Sequence, residues 1–199
     1  MATREAVSTG STRPSKARER LLRTATALFY TEGIHEVGVD RILGEAEVTR
    51  STFYRHFPGK EDLVLSYLRS LDSTVRANVE PAVFDPDPRA LLEALIGEHS
   101  ERICEPGFRG CAFINAAAEY PDQGSPVRQA IEEHRTWMLG LAVEAFRRIG
   151  HSAPDRAGRR FMLLRDGAMI SGYLNDPETA RATLREGVDD LLTDGRSSS

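Results

Sequence analysis

The chain has 199 residues, of which 40% are hydrophobic and 28% are charged, the composition of an ordinary globular protein with a buried core. No apolar run approaches the roughly 20 residues that cross a bilayer, and the N-terminal stretch lacks the apolar core of a signal peptide. Two cysteines, Cys104 and Cys111, are too few for a disulfide scaffold. These features exclude a membrane-spanning or disulfide-rich class, and we expect a cytoplasmic protein with no membrane partner.

The net charge of −4 is unevenly distributed along the chain. Residues 1–70 carry 11 basic and 9 acidic side chains, whereas the remaining residues carry 15 and 21. The front of the chain is therefore the part that favours a polyanion, although so small a difference decides little by itself.

Apolar residues recur at helical spacing along the chain, with no strand alternation and no internal repeat. A first helix is predicted to begin at Pro14-Ser15 and to end at Gly33, a residue type that favours helix C-termini. Two short helices follow, over about 39–46 and from Thr49 to about Phe57. A long amphipathic helix is predicted from Lys60 to about Val79.

A linker is predicted after the long helix, because the prolines of "EPAVFDPDP", residues 80–88, leave little room for helix. The remaining predicted helices cover about 88–104, 110–120, 126–149, 154–175 and 178–192. The sequence therefore predicts an all-α protein. We expect a flexible arm over 1–14, an N-terminal domain over 15–76 and a C-terminal helical bundle over 77–199.

The stretch "TRSTFYRHFPGKED", residues 49–62, places many hydrogen-bond donors on one short helix. Val48, Phe53 and Phe57 are spaced to hold this helix against its neighbours, and the Thr49 hydroxyl can cap it. Two short helices joined by a tight turn form a helix-turn-helix unit, whose second helix enters the major groove. The side chains expected to project outward are Arg50, Ser51, Tyr54, Arg55 and His56. The alternative is a solvated, charged helix face.

The segment "VDRILGEAEVTRSTFYRHFPGKEDLV", residues 39–64, resembles the DNA-binding signature of the TetR family of regulators. The resemblance extends over about residues 15–65, and "GCAFINAAAEYPDQGSPVRQAIEEHR", residues 110–135, resembles the effector domain of one subgroup. Membership implies an all-α homodimer with an N-terminal helix-turn-helix domain and a C-terminal ligand pocket whose ligand releases DNA. It also implies that Arg50, Ser51 and Arg55 read bases. Thr52, Tyr54, His56 and Lys60 would hold phosphates, and Thr49 completes the predicted DNA-binding set.

Two positions depart from the family pattern. Glu47 stands in the turn where glycine is usual, and a residue other than glycine at positive φ costs on the order of 1 kcal/mol. Gly38 replaces the hydroxyl residue that often caps the preceding helix, so one phosphate contact is missing. We expect both departures to affect DNA affinity and to leave the motif intact.

The predicted effector pocket is inferred from apolar side chains of the C-terminal helices. Asn115, placed among alanines, is its main polar group, because a buried amide needs a hydrogen-bond partner. A structural hydrogen bond explains Asn115 equally well, and methionines and aromatics at helical spacing are more often plain core. The predicted pocket residues are Cys111, Phe113, Asn115, Trp137, Met138, Leu141, Phe161 and Met169. This lining predicts a largely hydrophobic effector, since a charged ligand needs a buried counter-charge.

The last two predicted helices carry small residues that permit close approach, followed by an apolar stripe. The residues concerned are Gly167, Ala168, Ser171, Gly172, Ala180, Leu184, Val188 and Leu191. Both stripes can be ordinary core. The family resemblance favours a four-helix interface between two copies of the chain.

Other chemistry finds little support in the sequence. No nucleophile-elbow, P-loop or dinucleotide-binding motif occurs, so we predict no catalytic residue and no cofactor. His99 and His134 lie in no metal-binding spacing, and no metal ligand is predicted. Cys104 and Cys111 are either packing thiols or a redox pair.

The sequence thus predicts a ligand-responsive regulator, a repressor that binds palindromic double-stranded operator DNA as a homodimer. One rival is a helical enzyme or small-molecule carrier, whose cavity performs chemistry or storage. A second rival is a DNA-binding regulator without small-molecule control, which a filled C-terminal core would favour.

Overall fold

The computed structural model describes residues 15–195, so the arm predicted over 1–14 lies outside the described residues. Within this range the chain forms nine α-helices and no strand, which confirms the all-α prediction. The helices are α1 (Lys16–Glu32), α2 (Val39–Ala46), α3 (Arg50–His56), α4 (Lys60–Val83), α5 (Ala90–Ile103), α6 (Ala112–Glu119), α7 (Pro126–Arg148), α8 (Pro154–Leu174) and α9 (Pro177–Asp194).

The first three helices begin and end where the sequence predicts them. Gly33 closes α1 with a φ of 99°, a backbone conformation that side chains other than hydrogen disfavour. Glu47 follows α2 in the left-handed region, with φ 51° and ψ 48°. The Thr49 hydroxyl accepts a hydrogen bond from the backbone N–H of Thr52 at 3.3 Å, which confirms the predicted cap of α3.

The fourth helix is longer than predicted. It continues through Pro81 to Val83, so the linker predicted from residue 80 begins only at 84. The last turns are stabilised by tertiary contacts, because Val79 is buried and Arg148 of α7 donates to the Ala82 carbonyl at 3.5 Å. These contacts offset the backbone hydrogen bond that Pro81 cannot donate. The domain boundary predicted between 76 and 77 falls within α4 and stays a prediction.

The remaining helices pack into one bundle, with α7, α8 and α9 side by side. Phe146 of α7 and Phe161 of α8 lie at its centre, with ring centroids 6.5 Å apart. Gly172 of α8 permits the close approach of Ile103, because an added Cβ would lie 2.4 Å from the Ile103 Cγ2. Between residues 15 and 195, no helix has both the length and the apolar character to cross a membrane.

Both ends of α6 are hydrogen-bonded to the region where α1 ends. The Tyr30 hydroxyl donates to the Gly110 carbonyl at 3.0 Å and accepts from the Arg109 N–H at 2.9 Å, just before α6. At the other end, the Glu119 carboxylate accepts from the backbone N–H groups of Ile34 and His35 at 2.8 and 2.5 Å. The bundle therefore holds the N-terminal helices through α6 as well as through α4.

Candidate nucleic-acid interface and effector site

Helix α3 presents a polar face to solvent and an apolar face to the core. Phe53 is fully buried, and Val48 and Phe57 at its two ends are 8% and 1% exposed. The side chains of Arg50, Ser51, Tyr54 and Arg55 are exposed on the opposite face. The apolar anchors thus fix a helix whose exposed groups are mainly hydrogen-bond donors, as recognition of DNA requires.

Three other residues of the predicted DNA-binding set are only partly exposed. Thr52 is half-buried beside its cap partner Thr49. His56 is half-buried and projects outward only in part, because its Nε2 atom is enclosed by the fold and has no partner among residues 15–195. Lys60 is half-buried, with Nζ 3.5 Å from the His35 carbonyl oxygen, and burial lowers the pKa of its ammonium group.

The two arginines of α3 differ in their surroundings. The Arg50 guanidinium contacts the Asp40 carboxylate of α2, whose negative charge raises the pKa of Arg50. Arg55 makes no hydrogen bond or ion pair within the described part of the chain. Any ligand of Arg50 would therefore have to displace Asp40 to reach that side of the guanidinium, whereas the Arg55 side chain is unengaged.

The turn between α2 and α3 is supported by a residue that sequence reasoning missed. Arg20 of α1 donates through Nη2 to the Glu47 carbonyl oxygen at 3.1 Å. The Val48 N–H closes the turn on the Leu43 carbonyl at 3.1 Å. Arg20 lies 27 residues before Glu47, and no local pattern connects the two residues.

The sequence of residues 21–67 matches the family model described as "Bacterial regulatory proteins, tetR family". The whole fold is similar to SCO4454, a TetR-family transcriptional regulator from Streptomyces coelicolor, with 48% sequence identity and a TM-score of 0.86. That alignment covers 90% of this chain and 95% of the other. The chain belongs to the TetR family. It is a transcriptional regulator and not an enzyme, which rules out the enzymatic rival.

Similar curated proteins are also named as transcriptional regulators. The transcriptional regulator AcuR from Cereibacter sphaeroides is 30% identical over 175 residues, covering 83% of this chain and 80% of its own. The transcriptional repressor BepR from Brucella suis is 28% identical over 171 residues, covering 81% and 80%. In both alignments the similarity extends well beyond the helix-turn-helix and into the C-terminal helices.

A small enclosed cavity of about 10 Å³ lies where α4 to α8 of this TetR-family chain converge. Its volume is on the order of that needed for a single water molecule. Four of the predicted pocket residues line it: Cys111, Phe113, Met138 and Met169. Seven lining residues were missed: Leu71, Val75, His99, Arg102, Ala112, His134 and Arg165.

The other four predicted pocket residues lie elsewhere. Asn115 is exposed and donates to the Arg109 carbonyl at 2.9 Å, so its assignment as a buried polar group is wrong. Trp137 is half-buried with the Arg76 guanidinium 4.1 Å from its ring centroid. Leu141 is half-buried and Phe161 is fully buried, and neither lines the cavity.

The cavity wall is more polar than the sequence indicated. His134 stacks on Phe113 with centroids 3.6 Å apart, and its Nδ1 lies 2.7 Å from Oδ1 of Asp72. Burial lowers the pKa of His134, and Asp72 only partly opposes this effect. Arg165 is 5% exposed and forms an ion pair with Asp166, with 2.7 Å between Nη1 and Oδ1. Arg165 thus places a buried charge in the wall, which the predicted lining did not contain. The hydrophobic character of the effector stays a prediction.

The burial of Arg165 does have a signal in the sequence. Its neighbours at three- and four-residue spacing are Phe161, Met162, Ala168 and Met169, all of which are buried. A side chain at that position of a helix shares their inward face. The guanidinium therefore reaches the core because the apolar stripe of α8 carries it there.

The predicted dimer residues fall into three groups. Gly167 and Ser171 are exposed on α8. Four others are buried within the chain, yet they line a groove of about 830 Å³ between α8 and α9: Ala168, Ala180, Leu184 and Leu191. Val188 and Gly172 are buried and do not line the groove, and Gly172 packs against Ile103 of its own chain, so its assignment to an interface is wrong.

Three apolar residues of α8 that were not predicted remain exposed, and one of them, Leu163, lines the groove. Leu163 is 74% exposed, Ile170 48% and Leu174 66%. With Gly167 and Ser171 they follow three- and four-residue spacing, so they share one face of the helix. We call these five residues the α8 stripe.

The two cysteines are free thiols in different environments. Cys104 lies near the Pro177 carbonyl, with Sγ 3.9 Å from its oxygen, and Cys111 is buried and accepts from Nη2 of Arg165 at 3.3 Å. In the described part of the chain, no group of three or more His, Cys, Asp or Glu side chains is placed to hold a metal ion.

Proposed function

We propose that this TetR-family regulator is a repressor that binds a palindromic operator as a homodimer and is released from it by a small-molecule effector. The exposed donor face of α3 supports the DNA-binding role. Arginine can donate two parallel hydrogen bonds to guanine, and hydroxyl groups suit phosphate oxygens. Repression is the direction favoured by the name of the similar repressor BepR.

The roles of the individual side chains follow from exposure and chemistry. We assign base reading to Arg50, Ser51 and Arg55 and phosphate contacts to Thr49, Thr52, Tyr54, His56 and Lys60. Lys60 begins α4, and the positive end of that helix dipole adds to its attraction for phosphate. His56 is the weakest member of the set, because only part of its ring is accessible.

A homodimer follows from the geometry of a palindrome. Helix-turn-helix dimers bind half-sites about 34–36 Å apart, and residues 15–195 contain one such unit. The α8 stripe supplies an unpartnered apolar surface, which a second copy of the chain would cover. We therefore assign the dimer interface to the α8 stripe and the adjoining groove.

Control by an effector is supported by the position of α6. Cys111, Ala112 and Phe113 bring the start of α6 to the cavity, while Glu119 and the loop before α6 are bonded to the end of α1. A ligand that displaces α6 or α4 therefore moves the helix-turn-helix unit. A 100-fold preference for the conformation that does not bind DNA corresponds to about 2.7 kcal/mol of coupling.

The proposal is tested by fluorescence anisotropy with labelled DNA from upstream of the chain's own gene. We expect binding at about 150 mM salt to be at least 1,000-fold tighter than to scrambled DNA of equal length. Transcription from that promoter in vitro should fall when the protein is added. Equal affinity for both DNAs would contradict operator recognition, and increased transcription would identify an activator.

A further inference from the structure

The strongest unassigned feature is the polar wall of the enclosed cavity. Arg165 and His99 both line it and are 5% and 2% exposed. Within residues 15–195, Arg165 Nε and both ring nitrogens of His99 have no hydrogen-bond partner. Buried polar atoms are rarely left without partners, because each costs about 1–3 kcal/mol of desolvation. Their convergence on one cavity indicates that the cavity accepts a polar group.

The Arg165 guanidinium has one edge that lacks a strong acceptor. Its Nη1 atom donates to Asp166 at 2.7 Å, which satisfies the opposite side. The Nη2 atom contacts only Cys111 Sγ, at 3.3 Å, and sulfur is a weak acceptor. The edge formed by Nε and Nη2 presents two parallel N–H groups, which match the two oxygens of a carboxylate.

The charges around this edge leave one positive charge uncompensated. Asp166 accepts from Arg135 as well as from Arg165, with 2.6 Å between Asp166 Oδ2 and Arg135 Nη2. Two guanidinium groups and one carboxylate give this triad a net charge of +1. Arg102, which also lines the cavity, is paired with Glu98 at 3.5 Å. A monoanion would balance the triad, whereas a dianion would leave a negative charge buried.

His99 suits the same ligand. Burial, followed by the positive charges of Arg165 and Arg102, holds the pKa of His99 well below its ordinary value. Its imidazole is therefore neutral near pH 7, with one N–H donor and one acceptor nitrogen. The donor can bind a carboxylate oxygen without bringing a further charge into the core.

We propose that the cavity lined by Arg165 and His99 binds a small monocarboxylate, which is the effector of this regulator. Calling it the effector depends on the function proposed above, whereas the binding itself does not. The cavity of about 10 Å³ must enlarge to admit it. Met138 and Met169 in its wall are unbranched and can change rotamer to make room, which limits the ligand to a few carbon atoms.

The binding step is tested by calorimetry on the full chain without DNA, at constant ionic strength in sodium chloride. The probes are formate, acetate, propionate and butyrate, each compared with its uncharged amide. We expect at least one carboxylate to bind at or below millimolar Kd, and its amide to bind at least tenfold more weakly. Equal binding of acid and amide would overturn the proposal, as would no binding of any carboxylate or full competition by chloride at the same concentration.

Variants then locate the site. Arg165→Lys retains the charge without the two-pronged edge, and we expect at least tenfold weaker binding. His99→Gln should weaken binding less, by about threefold to tenfold, because its amide can still donate. Arg156→Lys is the matched control, because Arg156 lies on the same helix and is exposed away from the cavity. Wild-type affinity in both Arg165→Lys and His99→Gln would overturn the assignment, with folding verified by circular dichroism.

The effector step is measured separately. The carboxylate that binds is added to the complex with upstream DNA, and we expect the apparent Kd for DNA to rise at least tenfold. A chain that binds carboxylate but never binds its upstream DNA would contradict the proposed function and leave the site intact. Unchanged DNA affinity with saturating carboxylate would overturn its role as effector.

Discussion

The Glu119 carboxylate at the end of α6 accepts a hydrogen bond from the Ile34 N–H, with 2.8 Å between Oε1 and the nitrogen. Its second oxygen accepts from the His35 N–H at 2.5 Å. One side chain of the C-terminal bundle thus satisfies two consecutive amides beyond the end of α1, which would otherwise need water. The His35 carbonyl in the same loop accepts from Lys60, the first residue of α4. The loop therefore connects the end of α6 to the start of α4.

Glu119→Ala should loosen this loop. Each hydrogen bond to a charged group is worth roughly 1.5 kcal/mol, so amide exchange at Ile34 and His35 should accelerate about tenfold. Hydrogen exchange followed by NMR measures this rate. The matched control is Glu133→Ala, an exposed position of α7, which should leave both amides unchanged. Unaltered exchange at Ile34 in Glu119→Ala would show that this contact does not stabilise the loop. It would then contradict the proposal that α6 is coupled to the helix-turn-helix through Glu119.

The proposed roles of Arg50 in base reading and of Lys60 in phosphate contact can be tested with two substitutions. Arg50→Ala should cost roughly 1–3 kcal/mol of operator affinity and relax the preference at one base pair. Lys60→Ala should weaken binding to all sequences and flatten the salt dependence by about one unit. Anisotropy titrations with operator and single-base variants, over a range of salt, give both quantities.

The control for both is Arg69→Ala, which removes a charge from an exposed position more than two turns along α4 from Lys60. It should leave base preference and salt slope unchanged. If Arg50→Ala and Lys60→Ala lose the same amount of sequence discrimination, the assigned roles of the two residues are wrong.

The turn at Glu47 offers a test of backbone strain. Glu47 has a φ of 51°, a left-handed conformation that costs a residue other than glycine on the order of 1 kcal/mol. Replacing Glu47 with glycine removes this cost. Because glycine also gains entropy in the unfolded chain, we expect a net stabilisation of about 0.5 kcal/mol. Urea unfolding measures it. Glu186→Gly, at an exposed position inside α9, should instead destabilise by about 1 kcal/mol. Destabilisation by Glu47→Gly would show that the Glu47 side chain contributes more than the strain costs.

The fold follows largely from the sequence because helices leave a regular signature. Buried residues such as Leu21, Ala25 and Leu28 recur at three- and four-residue spacing, and Gly33 stops the helix that carries them. The end of α4 could not be predicted in this way. Pro81 favours a break locally, whereas the contact between Ala82 and Arg148 of α7 depends on tertiary structure.

The candidate effector site was less predictable, because its lining depends on which face of each helix turns inward. On α6 the buried residues are Ala112, Phe113 and Ala116, and Asn115 lies on another face of the same turn. Arg165 is charged and is followed by Asp166, which suggests a surface ion pair, whereas its spacing from buried Met169 places it on the inward face. The charge of Arg165 favours a surface position, and only the positions of its neighbours on the helix indicate that it is buried.

Two buried histidines make stability depend on pH. The pKa of His99 is held well below its ordinary value by burial and nearby arginines, and burial also lowers the pKa of His134 despite Asp72. In both cases the unfolded chain binds a proton that the folded chain does not bind, so stability must fall as the pH falls below about 6.5. Each histidine contributes a loss of up to about 1.4 kcal/mol between pH 7.5 and 5.5.

Urea unfolding at the two pH values, at fixed protein concentration, measures this loss. His99→Gln should remove about half of the pH-dependent loss, whatever it does to stability at pH 7.5. His35→Gln is the control, since the His35 side chain is 61% exposed, and it should retain the full loss. Equal stability of the unaltered protein at both pH values would mean that the native histidines accept protons as readily as the unfolded chain.

The α8 stripe provides the test of assembly. Leu163 is 74% exposed, so Leu163→Glu introduces a charge without disturbing the core of a single chain, and in a dimer it would bury that charge. We expect sedimentation to show monomers, helical content to stay the same and operator affinity to fall at least 100-fold, because each helix-turn-helix unit then binds its half-site without a partner.

Phe84→Glu is the matched control, since Phe84 is 79% exposed outside α8 and α9 and its substitution should leave the assembly unchanged. Leu184→Glu is expected to unfold the chain, because Leu184 is buried within the monomer. A folded Leu163→Glu protein that sediments as the wild-type dimer would place the interface on another surface.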